Sequence, residues 1–358
     1  DYNTAVGYAC LSSLTTGQEN TAVGVAALNG ALATGGDNNT AVGKSALNVF
    51  TGSSATAVGH GAADVAQGTA LELVAVGIDA LGALTTGDYN TAVGAYCLDG
   101  TDDGHRNTAM GNGALGANCG DDNTAIGKGA LNPFTGSGAT AVGSGAAASA
   151  TTAADIVAVG NNALGNTKTG GYNTAVGFGA GRYAINTNNT FIGNSAGVNV
   201  GSSQHCVAIG RDALGGATIA DNTQAGDITS GTTITMDGAN SAIVAGMVVT
   251  GTGIAAGTQV DSVASSSANP QVFVLNQAVA STVSGGTTLT FYKNQGDANV
   301  AIGSYALDAV TTSSHNVGIG KFALSNITTG GESVAIGHAA LSSEANDVIG
   351  SVAIGFKA

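Results

Sequence analysis

The motif TAVG, first met at Thr4 to Gly7, returns with small variations sixteen more times, and in all but one interval its closing glycine falls 16 to 19 residues after the previous one. A short fixed period of this kind means like supersecondary units stacked on one another, each touching only its neighbours, rather than a globule around one closed core. The closing glycines are Gly7, Gly24, Gly43, Gly59, Gly77, Gly94, Gly111, Gly127, Gly143, Gly160, Gly177, Gly193 and Gly210, then Gly303, Gly320, Gly337 and Gly355. A helical repeat takes about 30 residues or more, so these units are too short for one. The expected fold is all-β: a parallel β-roll or β-solenoid of about 17-residue coils, which in seventeen layers would span roughly 80 Å at the spacing of paired strands.

The composition agrees. Glycine occurs 58 times, aromatic residues make up 4% of the chain and tryptophan is missing, so burial has to come from Ala, Val, Ile and Leu in thin layers. Glycine does not fall at every third position, which rejects collagen, and 43% apolar content rejects disorder. The net charge of -14 argues against nucleic acid or an anionic membrane as partner, and no apolar run is long enough to span a bilayer. An extracellular setting is expected. The chain opens inside one motif and ends just after another, and so reads as a piece of a longer array or a processed product.

Aligned on the closing glycine, the copies become columns. One residue before it stands Val or Ile (Met110 once), two before it Ala (Phe191 and Gly318 excepted), and three before it Thr or Val. Strand alternation sends the first and third of these columns to one face and the alanines to the other. The expectation is that Thr/Val and Val/Ile fill the coil. Three and four residues after the glycine come Ala or Cys and then usually Leu, although Gly181, Gly197, Ala63 and Ala147 stand in the leucine's place, so the layer should narrow or repack there. Four residues before the glycine, ten copies carry Asn, among them Asn3, Asn20, Asn90 and Asn123, which marks a turn and allows a ladder of stacked amides. A five-coil block is duplicated as well: Gly43 to Gly127 and Gly59 to Gly143 are both 84 residues apart.

Between Gly210 and Gly303 the motif disappears. Runs such as Thr232 to Met236, Ala242 to Val249, Gln271 to Leu275 and Thr287 to Tyr292 are rich in β-formers and separated by Gly, Asn and Ser. The domain plan is therefore a β-roll array over 1–222, an inserted small β domain over 223–293, and the array continued over 294–358.

Motifs of chemistry are sparse. Gly43-Lys44-Ser45 imitates the end of a phosphate-binding loop, but Asn38 stands where that loop needs glycine. GNGALG at Gly111 to Gly116 spells a dinucleotide fingerprint without its βαβ setting. No HExxH or catalytic-triad order gathers the five histidines, and the four cysteines form no CxxC pair. No catalytic residue, cofactor or metal is assigned. Asp102, Asp103, Asp121 and Asp122 in neighbouring turns are a weak Ca²⁺ candidate, set against plain solvated turns. Just after the closing glycine, His60, His338, Lys44, Lys128, Arg211 and Lys321 share a variable column. It reads as a solvated face or as a contact stripe for an anionic glycan or lipopolysaccharide.

Units such as NTAVGVAAL, NNTFIGNSAG and VAIGHAAL resemble the head repeats of trimeric autotransporter adhesins and the related repeats of phage tail fibres. The likeness covers the chain outside the insert, and GMVVTGTGIAAGTQVDSV within it resembles a small β module of phage structural proteins. The resemblance implies left-handed coils assembled as trimers. The period here is longer than that family's usual one. The columns supply their own reason for association, since an alanine face left wet in a monomer would admit another chain closely. A homotrimer is expected, with Ala5, Ala22, Ala41, Ala57, Ala75 and Ala92 at the chain contacts. The function expected is that of a non-enzymatic fibre rod, a viral tail fibre that holds or forms an element recognising a cell-surface glycan or protein. The alternatives are a bacterial trimeric adhesin, a filament subunit and a polysaccharide-degrading spike.

Overall fold

The computed structural model describes residues 2–30, 36–65, 72–101, 103–201, 203–215, 218–223, 232–236, 243, 247–251, 253–254, 258, 260–263, 271–276, 278–279, 288–292, 296–310, 313–327, 330–342 and 349–358. The chain divides into two compact units, Asp1–Asn162 and Ala163–Ala358.

The first unit is a parallel β-solenoid. Its strands are β1 (Thr4–Val6), β2 (Thr21–Val23), β3 (Thr40–Val42), β4 (Thr56–Val58), β5 (Val74–Val76), β6 (Thr91–Val93), β7 (Thr108–Met110), β8 (Thr124–Ile126), β9 (Thr140–Val142) and β10 (Val157–Val159). Each of β1 to β9 pairs in parallel with the strand of the following coil, like position against like. Between β7 and β8, for example, Thr108 lies opposite Thr124, Ala109 opposite Ala125 and Met110 opposite Ile126.

The bonding continues past the strands. Gly113 N–H donates to the Ala95 carbonyl at 3.0 Å, and Leu115 N–H donates to the Ala130 carbonyl at 3.0 Å, so this coil is tied to both neighbours around its corners. Non-glycine residues there take left-handed backbone: Tyr96 (φ 57°), Leu98 (φ 50°) and Arg106 (φ 57°) form one set. The left-handed conformation costs an L-residue about 1–2 kcal/mol, and the coil-to-coil bonds fix it in place. Each closing glycine has φ between 127° and 144°. A Cβ on Gly127 would sit 2.5 Å from the carbonyl carbon and oxygen of Gly143. The coils meet there backbone on backbone, and this is why the column admits no side chain.

The expected assignment of faces is reversed. Ala22, Ala41, Ala57, Ala75 and Ala92 are fully buried inside the single chain, together with the following Ala–Leu pairs such as Ala27–Leu28 and Ala130–Leu131. Ala5, in β1, is exposed. The flanking Thr/Val and Val/Ile columns turn outward: Thr108 is half-buried and Met110 exposed around the buried Ala109. The reason is volume. Most coil interiors already hold a leucine four places after the glycine, and several hold a large apolar residue seven places after it, such as Phe50, Leu84 or Phe134, so the strand can add only a methyl group there. The buried alanines are thus withdrawn from contact with another chain.

The exception proves the volume argument. Phe191 takes an alanine position and is fully buried in the second unit. A Cβ on Gly181 would strike its ring at 2.5 Å, and one on Gly197 would also collide with it. One phenyl ring therefore occupies the space that two leucines fill in other coils.

Stacked Asn side chains form the ladder expected of them, chiefly by bonding to backbone. Asn107 Oδ1 accepts Asn123 N–H at 2.9 Å, Asn107 N–H donates to Asn90 Oδ1 at 2.9 Å, and its Nδ2 donates to the Gly120 carbonyl at 2.9 Å. These amides are buried, so every rung satisfies backbone groups that water cannot reach.

The second unit repeats this architecture in β11 (Thr174–Val176), β12 (Thr190–Ile192) and β13 (Val207–Ile209). The insert follows, with β14 (Thr218–Thr223), β15 (Thr233–Met236), β16 (Val248–Thr250), β17 (Val260–Val263), β18 (Gln271–Leu275) and β19 (Thr288–Tyr292). The coils then resume in β20 (Val300–Ile302), β21 (Val317–Ile319), β22 (Val334–Ile336) and β23 (Val352–Ile354). Strand β20 pairs in parallel with β13 in full register, Ala301 against Ala208, as though nothing intervened.

The insert forms two antiparallel three-stranded sheets, β14-β19-β16 and β15-β18-β17. Phe273 of one and Phe291 of the other meet edge to face at 5.3 Å in a core shared with Ile234, Val249, Val260 and Leu289. The first insert strand opens at Thr218, ahead of the boundary expected at 223. Its Ala-Asp-Asn interior reads as a turn in sequence, and a pairing irregularity between Ile219 and Asp221 accommodates it. The expected strand positions at Ala242 and Thr287 lie outside the described residues.

Candidate functional site

The corner after the closing glycine is where the coils differ most. In the second unit the backbone sets these variable side chains in ranks. Tyr305 N–H donates to the Arg211 carbonyl at 3.0 Å, Phe322 N–H to Ser304 at 3.0 Å, Ala339 N–H to Lys321 at 2.9 Å and Lys357 N–H to His338 at 2.9 Å.

A run of rings results. Tyr305 stacks on Phe322 at 5.3 Å with planes 13° apart, Phe322 meets His338 edge to face at 6.1 Å, and His338 stacks on Phe356 at 5.2 Å with planes 18° apart. Cations lie over the rings: Arg211 over Tyr305 at 5.7 Å, Lys321 over Phe322 at 4.8 Å and Lys357 over Phe356 at 5.5 Å. Such contacts contribute about 0.5–1 kcal/mol each at exposed sites. Lys321 and His338 are exposed and Tyr305 and Phe322 half-buried, so the run is a surface feature and not core.

Arg211 also pairs with Asp212, Nε to Oδ2 at 3.0 Å. Asp308 is pushed up to about 6, first by burial and then by the charge of Asp212.

Arg211, Lys321 and His338 were legible as members of a charge-tolerant column. The three aromatic partners were not singled out in the sequence. The signal was present, because Tyr305 and Phe322 both stand two places after a closing glycine in consecutive coils, and Phe356 stands one place after. Of the other members of that column, Lys44 and Lys128 are exposed, and His60 lies 3.9 Å from Asp79.

The acidic turns are engaged in coil-to-coil bonding. Arg106 forks onto Asp122, Nε to Oδ1 at 2.6 Å and Nη2 to Oδ2 at 2.9 Å, and reaches Asp121 Oδ2 at 3.2 Å. The guanidinium holds the Asp122 carboxyl below its usual range. Asp121 Oδ1 accepts His105 N–H at 2.9 Å, and His105 Nδ1 accepts Asp88 N–H at 3.0 Å. Asp103 is exposed, and Asp102 lies outside the described residues. Among the described residues, no group of three or more His, Cys, Asp or Glu is placed to hold a metal ion.

The cysteines are free. Burial pushes the thiols of Cys97 and Cys119 up and that of Cys206 up to about 11, the opposite of what a reactive thiolate needs. Cys97 Sγ donates to the Gly111 carbonyl at 2.6 Å, filling the small-residue place that alanine holds elsewhere. A cleft of about 290 Å³ is lined by Ser313, Ser314, His315, Gly331, Glu332 and Ile349. Within it, Ser314 Oγ already accepts Asp297 N–H at 3.0 Å. Among the described residues, no helix is long and apolar enough to cross a membrane.

No protein-family model, curated protein or solved structure matches this chain.

Proposed function

We propose that the chain is a structural and adhesive fibre segment, a phage tail fibre in its most specific reading, which assembles as a homotrimer outside the cell and presents a recognition surface. The observation that carries this reading is the outward apolar face of the coils. Val42, Val58, Met110 and Ile126, at the same strand position in their coils, are between 37 and 47% exposed. With Val23, Val76, Val93 and Val142 half-buried between them, these residues make an interrupted apolar stripe on the outside of the coils, the kind of surface that marks contact with another chain.

The trimer contact therefore belongs to the Val/Ile column and not to the alanines. Parallel in-register coils suit such a contact, because each layer offers a partner the same short side chains as the layer before it.

Light scattering on the purified chain is expected to give three times its 34.2 kDa mass. Val58→Lys combined with Ile126→Lys should shift that mass toward the monomer. A monodisperse monomer for the unmodified chain would overturn the trimer. The fibre reading predicts binding to a cell surface without turnover of its polymer. Release of new reducing ends from a bacterial polysaccharide would replace that reading with a degrading spike.

A further inference from the structure

We propose that the ranked corner of the second unit, built from Arg211, Tyr305, Lys321, Phe322, His338, Phe356 and Lys357, is a binding stripe for a linear polysaccharide that carries carboxylates. The inference deepens the adhesive reading above by naming a ligand class and its place on the chain.

Charge comes first. The chain has nine Lys and Arg in 358 residues and a net charge of -14, yet three of the nine stand in this one run of coils. Arg211 shares its charge with Asp212, so Lys321 and Lys357 carry most of what is left for a ligand. A local cationic stripe on an acidic chain selects an anion of modest charge density, because a densely charged polymer is repelled by the rest of the molecule.

Ring geometry comes second. The electron-rich faces of Tyr305 and Phe322, and of His338 and Phe356, are turned to each other, and cations lie over Tyr305, Phe322 and Phe356. Along the half-buried pair Tyr305 and Phe322, what remains toward solvent is largely ring edge, the positive part of the quadrupole. Edges and ammonium groups together favour carboxylate oxygens. Single-stranded nucleic acid, the competing polyanion, binds by stacking bases on open ring faces, and here Tyr305 and Phe322 are stacked on each other with cations over both.

Repetition comes third. The cations Arg211, Lys321 and Lys357 stand in alternate coils, about 9.6 Å apart at the spacing of paired strands, so alternate carboxylates of an extended polymer would meet successive cations.

The test uses the whole 358-residue chain and measures its binding to polygalacturonate, neutral dextran and single-stranded DNA at low and high salt. Polygalacturonate is expected to bind and to weaken as salt rises, and the Lys321→Gln/Lys357→Gln variant should bind about tenfold more weakly. Lys44→Gln/Lys128→Gln, in the same column of the first unit, should bind as the unmodified chain does. Circular dichroism and light scattering on every variant confirm that fold and assembly are retained, and Phe322→Leu supplies a second probe that keeps the charge. The proposal is overturned by absence of polygalacturonate binding, by equal binding of dextran, by tighter binding of DNA, or by equal loss in the two lysine double variants. A monomeric chain that still shows the lysine-dependent binding would sink the trimeric fibre while leaving the stripe intact.

Discussion

The coils and the insert solve the same problem with opposite materials. In the coils the core is made of methyl groups and single leucines, the tightest contacts are glycine backbone against glycine backbone, and buried asparagines close the hydrogen-bond account. In the insert, two antiparallel sheets bury Phe273, Phe291, Ile234 and Leu289 against one another as an ordinary small sandwich does. The coils depend on positions where a side chain is forbidden, the insert on positions where a large one is required. Stability in the coils is consequently spread over many near-equivalent layers, whereas the insert has one centre.

The strongest way to break this contrast is to add atoms to a coil. Gly127→Val places carbon against the Gly143 backbone, which cannot move aside without parting the layers. A loss of more than about 4 kcal/mol is expected, read as a collapse of the coil transition in thermal unfolding. Removing atoms should instead hurt the insert: Phe273→Ala is expected to cost about 3–5 kcal/mol. Hydrogen exchange should localise that loss to β15 to β19 and leave β1 to β10 protected.

Asn107→Leu keeps the side-chain branching but leaves Asn123 N–H without its acceptor, while the Gly120 carbonyl keeps only its bond from Asn123 Nδ2. About 1–3 kcal/mol should be lost, with faster exchange at Asn123 N–H. The pH dependence of the second unit should be gentler. The Asp308 carboxyl is raised from 3.8 to about 6 when folded, so the folded state holds this proton more tightly than the unfolded chain. Its stabilising share is complete below pH 4 and lost as pH rises through 6. Comparing melting temperatures of the unmodified chain and Asp308→Asn at pH 4 and pH 7 should reveal that slope, and parallel curves would contradict it. The smallest effect is a gain: Ser45→Gly relieves a left-handed residue (φ 58°) and should stabilise by up to about 1 kcal/mol in the same melts.

The period, the parallel coils and the asparagine ladder were legible because each follows from what recurs in a column. The direction of the strand faces was not. Alternation separates Ala109 from Thr108 and Met110 but does not say which side is inside. Hydrophobicity points to the larger residues, while the narrow coil has room only for the smaller one. Phe191 with Gly181 and Gly197 held the answer in sequence, since a large residue enters the alanine column only where leucines are missing nearby. Strand β14 was hidden for a different reason, because its Asp-Asn pair carries turn chemistry that pairing to β19 overrides. The aromatic run of the second unit needed columns read across coils for what varies, not for what repeats.

The in-register meeting of β13 and β20 also makes the insert an exchangeable cassette. Its first and last strands, β14 and β19, are neighbours in one three-stranded sheet with Thr218 opposite Tyr292, so the two ends of the segment lie side by side. A lineage could swap the segment held between those ends, or carry none, and keep β13 in register with β20.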